Sequence, residues 1–302
     1  MELQLRLFFL LLFKSSDAIH ANDLDTLLPA WLITRLKGKQ LVYDTHEYFT
    51  GVPELISRPA VRKVWRSIES FIFPRLKKVI TVNQSIAGLY QNDFGVTPIV
   101  IRNLPSGNTS LIHGSREELN LPLNRFILII QGNGINIDRG SEEAVEMMKY
   151  LEEALLLIIG SGDVIPKLEE RIRSNQLEDK VWLRPRMPYS ELMKHTSVCD
   201  LGLSLDKNSN INYRFSLPNK LFDYIRAGIP VMVSDLPEVR KIVEEAGCGI
   251  ISDSHDPQIL ARKVNELRAH PEILHKLKSG ANKASNLYRW ENDVEQIKSW
   301  YA

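Results

Sequence analysis

The sequence predicts an α/β protein with two doubly wound parallel sheets, and three observations carry that expectation. Short apolar runs rich in β-branched residues alternate with longer stretches at helical spacing along nearly the whole chain, the pattern of parallel strands joined by crossover helices. A Pro/Gly/Ser/Asn stretch, LPSGNTSLIHGS at 104–115, interrupts the alternation and reads as a linker. The 302 residues suit two domains of roughly 150 residues each.

Four strands are expected before the linker: AIH at 18–20, QLVYD at 40–44, KVITV at 78–82 and PIVIR at 98–102. Helical patterns such as DTLLPAWLITRLK and RPAVRKVWRSIESFIFPRL lie between them. Six strands are expected after it, RFILII, LLLII, KVWL, DLGLSL, PVMVS and GII, separated by helical segments. A helical tail closes the chain. These patterns divide it into a first domain at 1–103, a second at 104–286 and a last helix at 287–302 for which the first domain is one docking face. LFFLLLF at 7–13 follows a single basic residue and lacks a small-x-small cleavage site, so it reads as a buried helix rather than a secretory signal. It is too short to span a bilayer.

Lys plus Arg (38) nearly cancels Asp plus Glu (37), leaving a formal net charge of +1. That balance argues against a nucleic-acid partner. The two cysteines, Cys199 and Cys248, sit among small and apolar residues and read as buried hydrophobes. They form neither a disulfide framework nor a metal cluster, and a reducing, cytoplasmic setting follows.

Ligands of open parallel sheets bind beyond the carboxyl ends of the strands, so the residues following each strand matter most. QGNGINIDRG (131–140) follows RFILII and offers Gly132, Asn133 and Gly134 for close backbone approach, with Arg139 before a helix N-terminus. An arginine there can neutralise a diphosphate with paired hydrogen bonds, or it is a surface residue on a glycine-rich turn. GSGD, beginning at Gly160, is a second such turn. In LPNKLFDYIRAG, Pro218 begins a helix, Lys220 and Asp223 fall on its first turns, and Gly228 ends it. Lysine at a helix N-terminus opposes the helix dipole unless an anion sits there. In the first half, His46 and Glu47 follow QLVYD, while His20 and Asp23 follow or lie beside AIH. Their spacing matches no standard zinc pattern.

These segments resemble family 4 glycosyltransferases. The resemblance rests on 217–238, IIQGNGINIDRG, LLLIIGSGD, VITVNQSIAGLY with PIVIRNLP, and VYDTHEYFTGVPEL. It implies the GT-B fold, two Rossmann-like domains facing a central cleft, here with the first domain incomplete and a helical C-terminal tail. It also implies a donor nucleotide-sugar, a glycan or lipid-linked acceptor, no metal or other cofactor, and a cytoplasmic enzyme with peripheral membrane contact. By resemblance Arg139 and Lys220 hold the donor diphosphate and Asp223 the ribose. His46 faces the transferring sugar, Gly132, Asn133 and Gly134 form the loop nearest the phosphates, and Gly160 belongs to the donor-binding set. The Arg184 and Met187 segment lies near the base. The chain departs from the family at Phe215, where an acidic residue is usual, so backbone at Leu217 and Asn219 is left to serve the sugar hydroxyls. It also lacks the family's first strand and glycine-rich loop. A retaining transferase is the leading expectation. A non-catalytic nucleotide-sugar-binding remnant and a nucleotide-sugar epimerase of the same fold are the rivals.

Overall fold

A computed structural model describes residues 2–107 and 114–301. The expected linker therefore lies partly outside the described residues. The chain forms two compact units, each with its own parallel sheet.

Unit 1 holds β1 (Ala18–Asn22), β2 (Gln40–Thr45), β3 (Val79–Thr81) and β4 (Ile99–Val100), in that spatial order. The last two are shorter than their apolar runs. Pro98 has no N–H to give a ladder, and the Arg102 N–H is taken by the Asp293 carboxylate at 3.2 Å. Leu24, Leu27, Ile33, Tyr43, Ile72 and Tyr90 are fully buried behind the sheet, and Phe73 stacks on Tyr90 with centroids 4.5 Å apart. The first helix, Glu2–Phe13, forms as expected but buries none of its residues completely. From Leu7 onward it is apolar all round, and only one stripe (Phe8, Leu11, Leu12) reaches the core, while Leu3, Leu5, Phe9, Leu10 and Phe13 remain exposed. The Lys37 ammonium donates to the Leu11 and Lys14 carbonyls at 2.8 and 2.7 Å, satisfying groups that a helix end leaves orphaned. Among the described residues no helix is long and apolar enough to cross a membrane.

Two distant segments belong to unit 1. Residues 210–216 join it because Tyr48 and Asn212 exchange hydrogen bonds, Tyr48 N–H to Asn212 Oδ1 at 2.9 Å and Asn212 Nδ2 to the Tyr48 carbonyl at 3.1 Å. Asn83 Nδ2 also donates to the Phe215 carbonyl. The chain from Asp293 onward joins it too, with Gln40 and Lys78 both donating to the Trp300 carbonyl. The expected boundaries at 103–104 and 286–287 are thus modified by two excursions, residues 210–216 and the chain from residue 293.

Unit 2 contains β5 (Phe126–Gly132), β6 (Ala154–Gly160), β7 (Val181–Arg184), β8 (Leu201–Ser204), β9 (Val231–Ser234) and β10 (Gly249–Ser252). Their order is β10-β9-β8-β5-β6-β7. The chain runs outward from β5, then returns to build β8 on its other side, so the strand order reverses between β5 and β8. Ile127, Ile129, Leu155 and Leu157 enter one core. Their neighbours Leu128, Ile130, Leu156 and Ile158 enter the other. Period-two alternation between two apolar faces explains why these strands read as unbroken hydrophobic runs.

Candidate functional site

The reversal point of unit 2 brings two loops together. The loop after β5 is clamped to the turn after β6, with Ser161 N–H donating to the Gly132 carbonyl and Ile135 N–H to the Ser161 carbonyl, both at 3.1 Å. A Cβ on Gly160 would lie 1.8 Å from the Gly132 oxygen, and one on Gly162 would lie 2.0 Å from the Ile135 oxygen. Those two glycines permit backbone contact between the loops. Gly134, at the exposed tip beside Asn133, has nothing within 4 Å of its Cβ position. Gly132, Gly160 and Gly162 therefore belong to the packed seam between the loops, and Gly134 alone of the four stands open at the tip.

The β5 loop is also sewn to the end of β8. Lys207 N–H donates to the Asp138 carbonyl at 2.8 Å, and a Cβ on Gly140 would meet the Leu205 oxygen at 2.3 Å. This seam sets Arg139 Nη1 2.6 Å from Asp206 Oδ2, while Lys220 Nζ lies 3.4 Å from Oδ1. The Asp206 side chain is only 2% exposed. Burial pushes its carboxyl up, yet Lys220 and Arg139 outweigh burial and hold it below the usual carboxylate range. The anion that Lys220's position demands is thus supplied in part by the protein. Sequence reasoning missed Asp206, although a carboxylate directly after the apolar run DLGLSL was the available signal.

Asp223 sits one helical turn beyond Lys220, on the helix Asn219–Arg226. Its carboxylate accepts from Tyr189 Oη at 2.7 Å and Gln131 Nε2 at 3.2 Å. Gln131 in turn accepts from Thr196 Oγ1. Burial raises the Asp223 pKa, against the lowering effect of those hydrogen bonds and of Arg226. Pro218 precedes the helix as its N-cap, rather than occupying its first turn, and Gly228 follows its end at φ 71°. Asn219 is exposed as the first helical residue, and Leu217 packs against the core.

Arg184 and Met187 lie on and just after β7, in the segment that leads to Tyr189. Arg184 ends β7, the edge strand on the far side of β6 from β5. Its guanidinium contacts His195 Nε2 at 2.6 Å and donates to the Leu119 carbonyl at 3.3 Å. Met187 packs against the core. Both cysteines are buried, and burial raises both thiol pKa values.

In unit 1, His46 follows β2. Its backbone N–H donates to Asp23 Oδ1 at 3.0 Å, and its Nδ1 lies 3.3 Å from Asp23 Oδ2. On its other side Nε2 is 3.7 Å from Asp44 Oδ2, which His20 Nε2 also approaches at 3.3 Å. His20 Nδ1 is 2.5 Å from Tyr301 Oη. The Asp23 hydrogen bond and the Asp44, Asp23 and Glu47 charges raise the His46 pKa, against a lowering effect of burial. Among the described residues, no group of three or more His, Cys, Asp or Glu is placed to hold a metal ion.

Comparison with known proteins bears on this geometry. A chitobiosyldiphosphodolichol beta-mannosyltransferase of Candida glabrata is 24% identical over 318 aligned positions, covering 90% of this chain and 67% of that protein. The enzyme of that name from Candida albicans is 24% identical over 73% of this chain. The chain spans about half of that relative's length, 52%. Among solved structures, Anabaena HepE in complex with UDP and glucose superposes with a TM-score of 0.81 at 16% identity, covering 99% of this chain and 81% of that one. Sucrose-phosphate synthase from Thermosynechococcus elongatus gives 0.77 at 20% identity, with 94% and 73% covered. These likenesses agree with the α/β fold of a GT-B glycosyltransferase. The model of the family described as glycosyl transferases group 1 matches residues 115–284, more than half of the chain and the segment bearing Arg139, Asp206, Lys220 and Asp223, and the chain belongs to that family.

Proposed function

We propose that this chain moves a hexose-type sugar from a nucleoside-diphosphate sugar to an envelope glycan or lipid-linked acceptor, with retention at the anomeric carbon. The observation that carries the reading is the pair of cations, Arg139 and Lys220, brought to one carboxylate where the strand order reverses. Arg139, Lys220 and the exposed loop tip at Gly134 hold the diphosphate and stabilise the charge it gains as the bond to the sugar breaks. In a retaining transfer the departing diphosphate accepts the acceptor's proton, so no carboxylate nucleophile is required. Asp223 has lone pairs beyond those used by Tyr189 and Gln131 to receive ribose hydroxyls. His46 is assigned to the transferring sugar on the family resemblance.

The UDP and glucose held by the Anabaena protein support a nucleotide-sugar donor. The names of the yeast relatives, which state mannosyl transfer to a diphosphodolichol-linked saccharide, support a lipid-linked acceptor. Such an acceptor favours a cytoplasmic enzyme working at a membrane surface. The test is a thermal-shift panel of UDP-, GDP- and dTDP-sugars, since a ligand of the native state raises the melting temperature with its affinity. Multiple-turnover assays with the stabilising donor follow, with the product's anomeric configuration read by NMR. One donor class is expected to stabilise the protein and be consumed without added metal. An inverted product overturns retention, and no stabilisation by any donor overturns the reading.

A further inference from the structure

Asp23 stands where an aspartate ordinarily caps a helix, immediately before Leu24–Lys37. An N-cap aspartate normally accepts from the second or third helical N–H. Asp23 makes no such bond. Its backbone adopts φ 58° and ψ 168°, a region essentially confined to glycine. Both the missing cap and the strained backbone act against the local fold, so something else must hold the residue there. Its own N–H donates to the Asp44 carbonyl at 2.8 Å, and its carboxylate takes both the backbone N–H and the imidazole Nδ1 of His46.

We propose that Asp23 is a positioning residue for His46, fixing the ring's orientation and its Nδ1–H form. A carboxylate only accepts, so the 3.3 Å contact places a proton on Nδ1. Nε2 is then the atom directed away from Asp23, toward Asp44 Oδ2. The charged groups facing the ring come from three places. Asp23 lies before the helix, Asp44 is on β2, and Glu47 follows it. Beyond Asp44, His20 on β1 and Tyr301 from the C-terminal segment complete a hydrogen-bonded row. The role in transfer rests on the proposed function, but the geometry of Asp23 does not.

The test uses Asp23→Gly and Asp23→Asn in the full chain, with histidine titration followed by NMR and His46→Gln assigning the His46 signal. Glycine accepts the native backbone angles without strain, so Asp23→Gly is expected to raise the melting temperature. Both variants are expected to lower the His46 titration midpoint, the usual effect of losing an adjacent opposite charge. With an active donor and acceptor, both are expected to reduce kcat by tenfold or more, leave the donor KM within about threefold, and shift the pH profile with the His46 midpoint. An unmoved midpoint overturns the proposal without reference to any substrate. A melting temperature lowered by Asp23→Gly shows that the carboxylate serves the fold and overturns it equally. A moved midpoint with unchanged kcat confines the failure to the role assigned to His46 in transfer, leaving the positioning intact.

Discussion

Asp206 is the residue on which the cationic site turns. Its two oxygens lie against Arg139 and Lys220, so the trio carries one net positive charge. Asparagine there would remove the charge that Arg139 and Lys220 share in a part-buried setting. Breaking such a pair typically costs about 3–5 kcal/mol, and the 28% exposure of Arg139 places the effect near the lower end. A diphosphate would restore the missing negative charge. Asp206→Asn is therefore expected to lower the melting temperature, and GDP or UDP, whichever binds, should raise it by more degrees than in the native protein. Equal shifts in both proteins would show that the diphosphate does not meet these cations. Arg139 and Lys220 were legible because each sits beside a helix start that glycine or proline marks in the sequence. Asp206 was harder to find, since its importance depends on β8 lying next to β5, and spatial strand order leaves no local pattern. Asp23 was harder still: in HANDLD it looks like an ordinary helix cap, and only the backbone angles reveal otherwise.

At the scale of elements, the ten strands among the described residues fall on the expected runs, and the signal is strongest in β5 and β6, whose side chains enter two cores, since burial on two sides demands continuous hydrophobicity. Residues 210–216 were not legible in the same way. Their place in unit 1 depends on Asn212 and Phe215 meeting Tyr48 and Asn83, pairings more than a hundred residues apart. The glycine loops give a sharper case. GNG and GSG look alike in sequence, but the first leaves an open backbone edge at Gly134 and the second is pressed against the first. Gly134→Ala is accordingly expected to change stability by no more than about 0.5 kcal/mol while weakening nucleoside-diphosphate binding. Gly162→Ala, whose methyl would sit 2.0 Å from the Ile135 oxygen, should displace the loop and lower the melting temperature by several degrees. Calorimetric denaturation paired with diphosphate titration distinguishes the two. A destabilised Gly134→Ala would mean that the loop tip is packed rather than open.

The two units differ in how protons are linked to their stability, and the difference is measurable on the whole molecule. In unit 1, burial pushes Glu69 up to about 7 despite Arg66 and Thr50, and the His46 pKa is also raised. A raised pKa means that the folded state holds its proton more tightly than the unfolded chain. The associated stability is present at low pH and is lost as pH rises through the folded value. For Glu69 that window runs from about 4.5 to about 7; for His46 it lies above 6.5. In unit 2, Asp206 is lowered and Asp223 raised, so their contributions have opposite signs. Asp206 acts only below the ordinary aspartate range. Scanning calorimetry between pH 5 and 8 should therefore show a unit 1 transition that moves to lower temperature as pH rises, with a flatter unit 2 transition. The unit 2 transition is identified by its upward shift with nucleoside diphosphate, about 2.7 kcal/mol at a hundredfold excess over Kd. Glu69→Gln keeps an acceptor for Thr50 Oγ1 and removes the titrating proton, so it should flatten the unit 1 transition between pH 5 and 7. A unit 1 transition that rises with pH, or one whose slope survives Glu69→Gln, would locate the linked proton elsewhere.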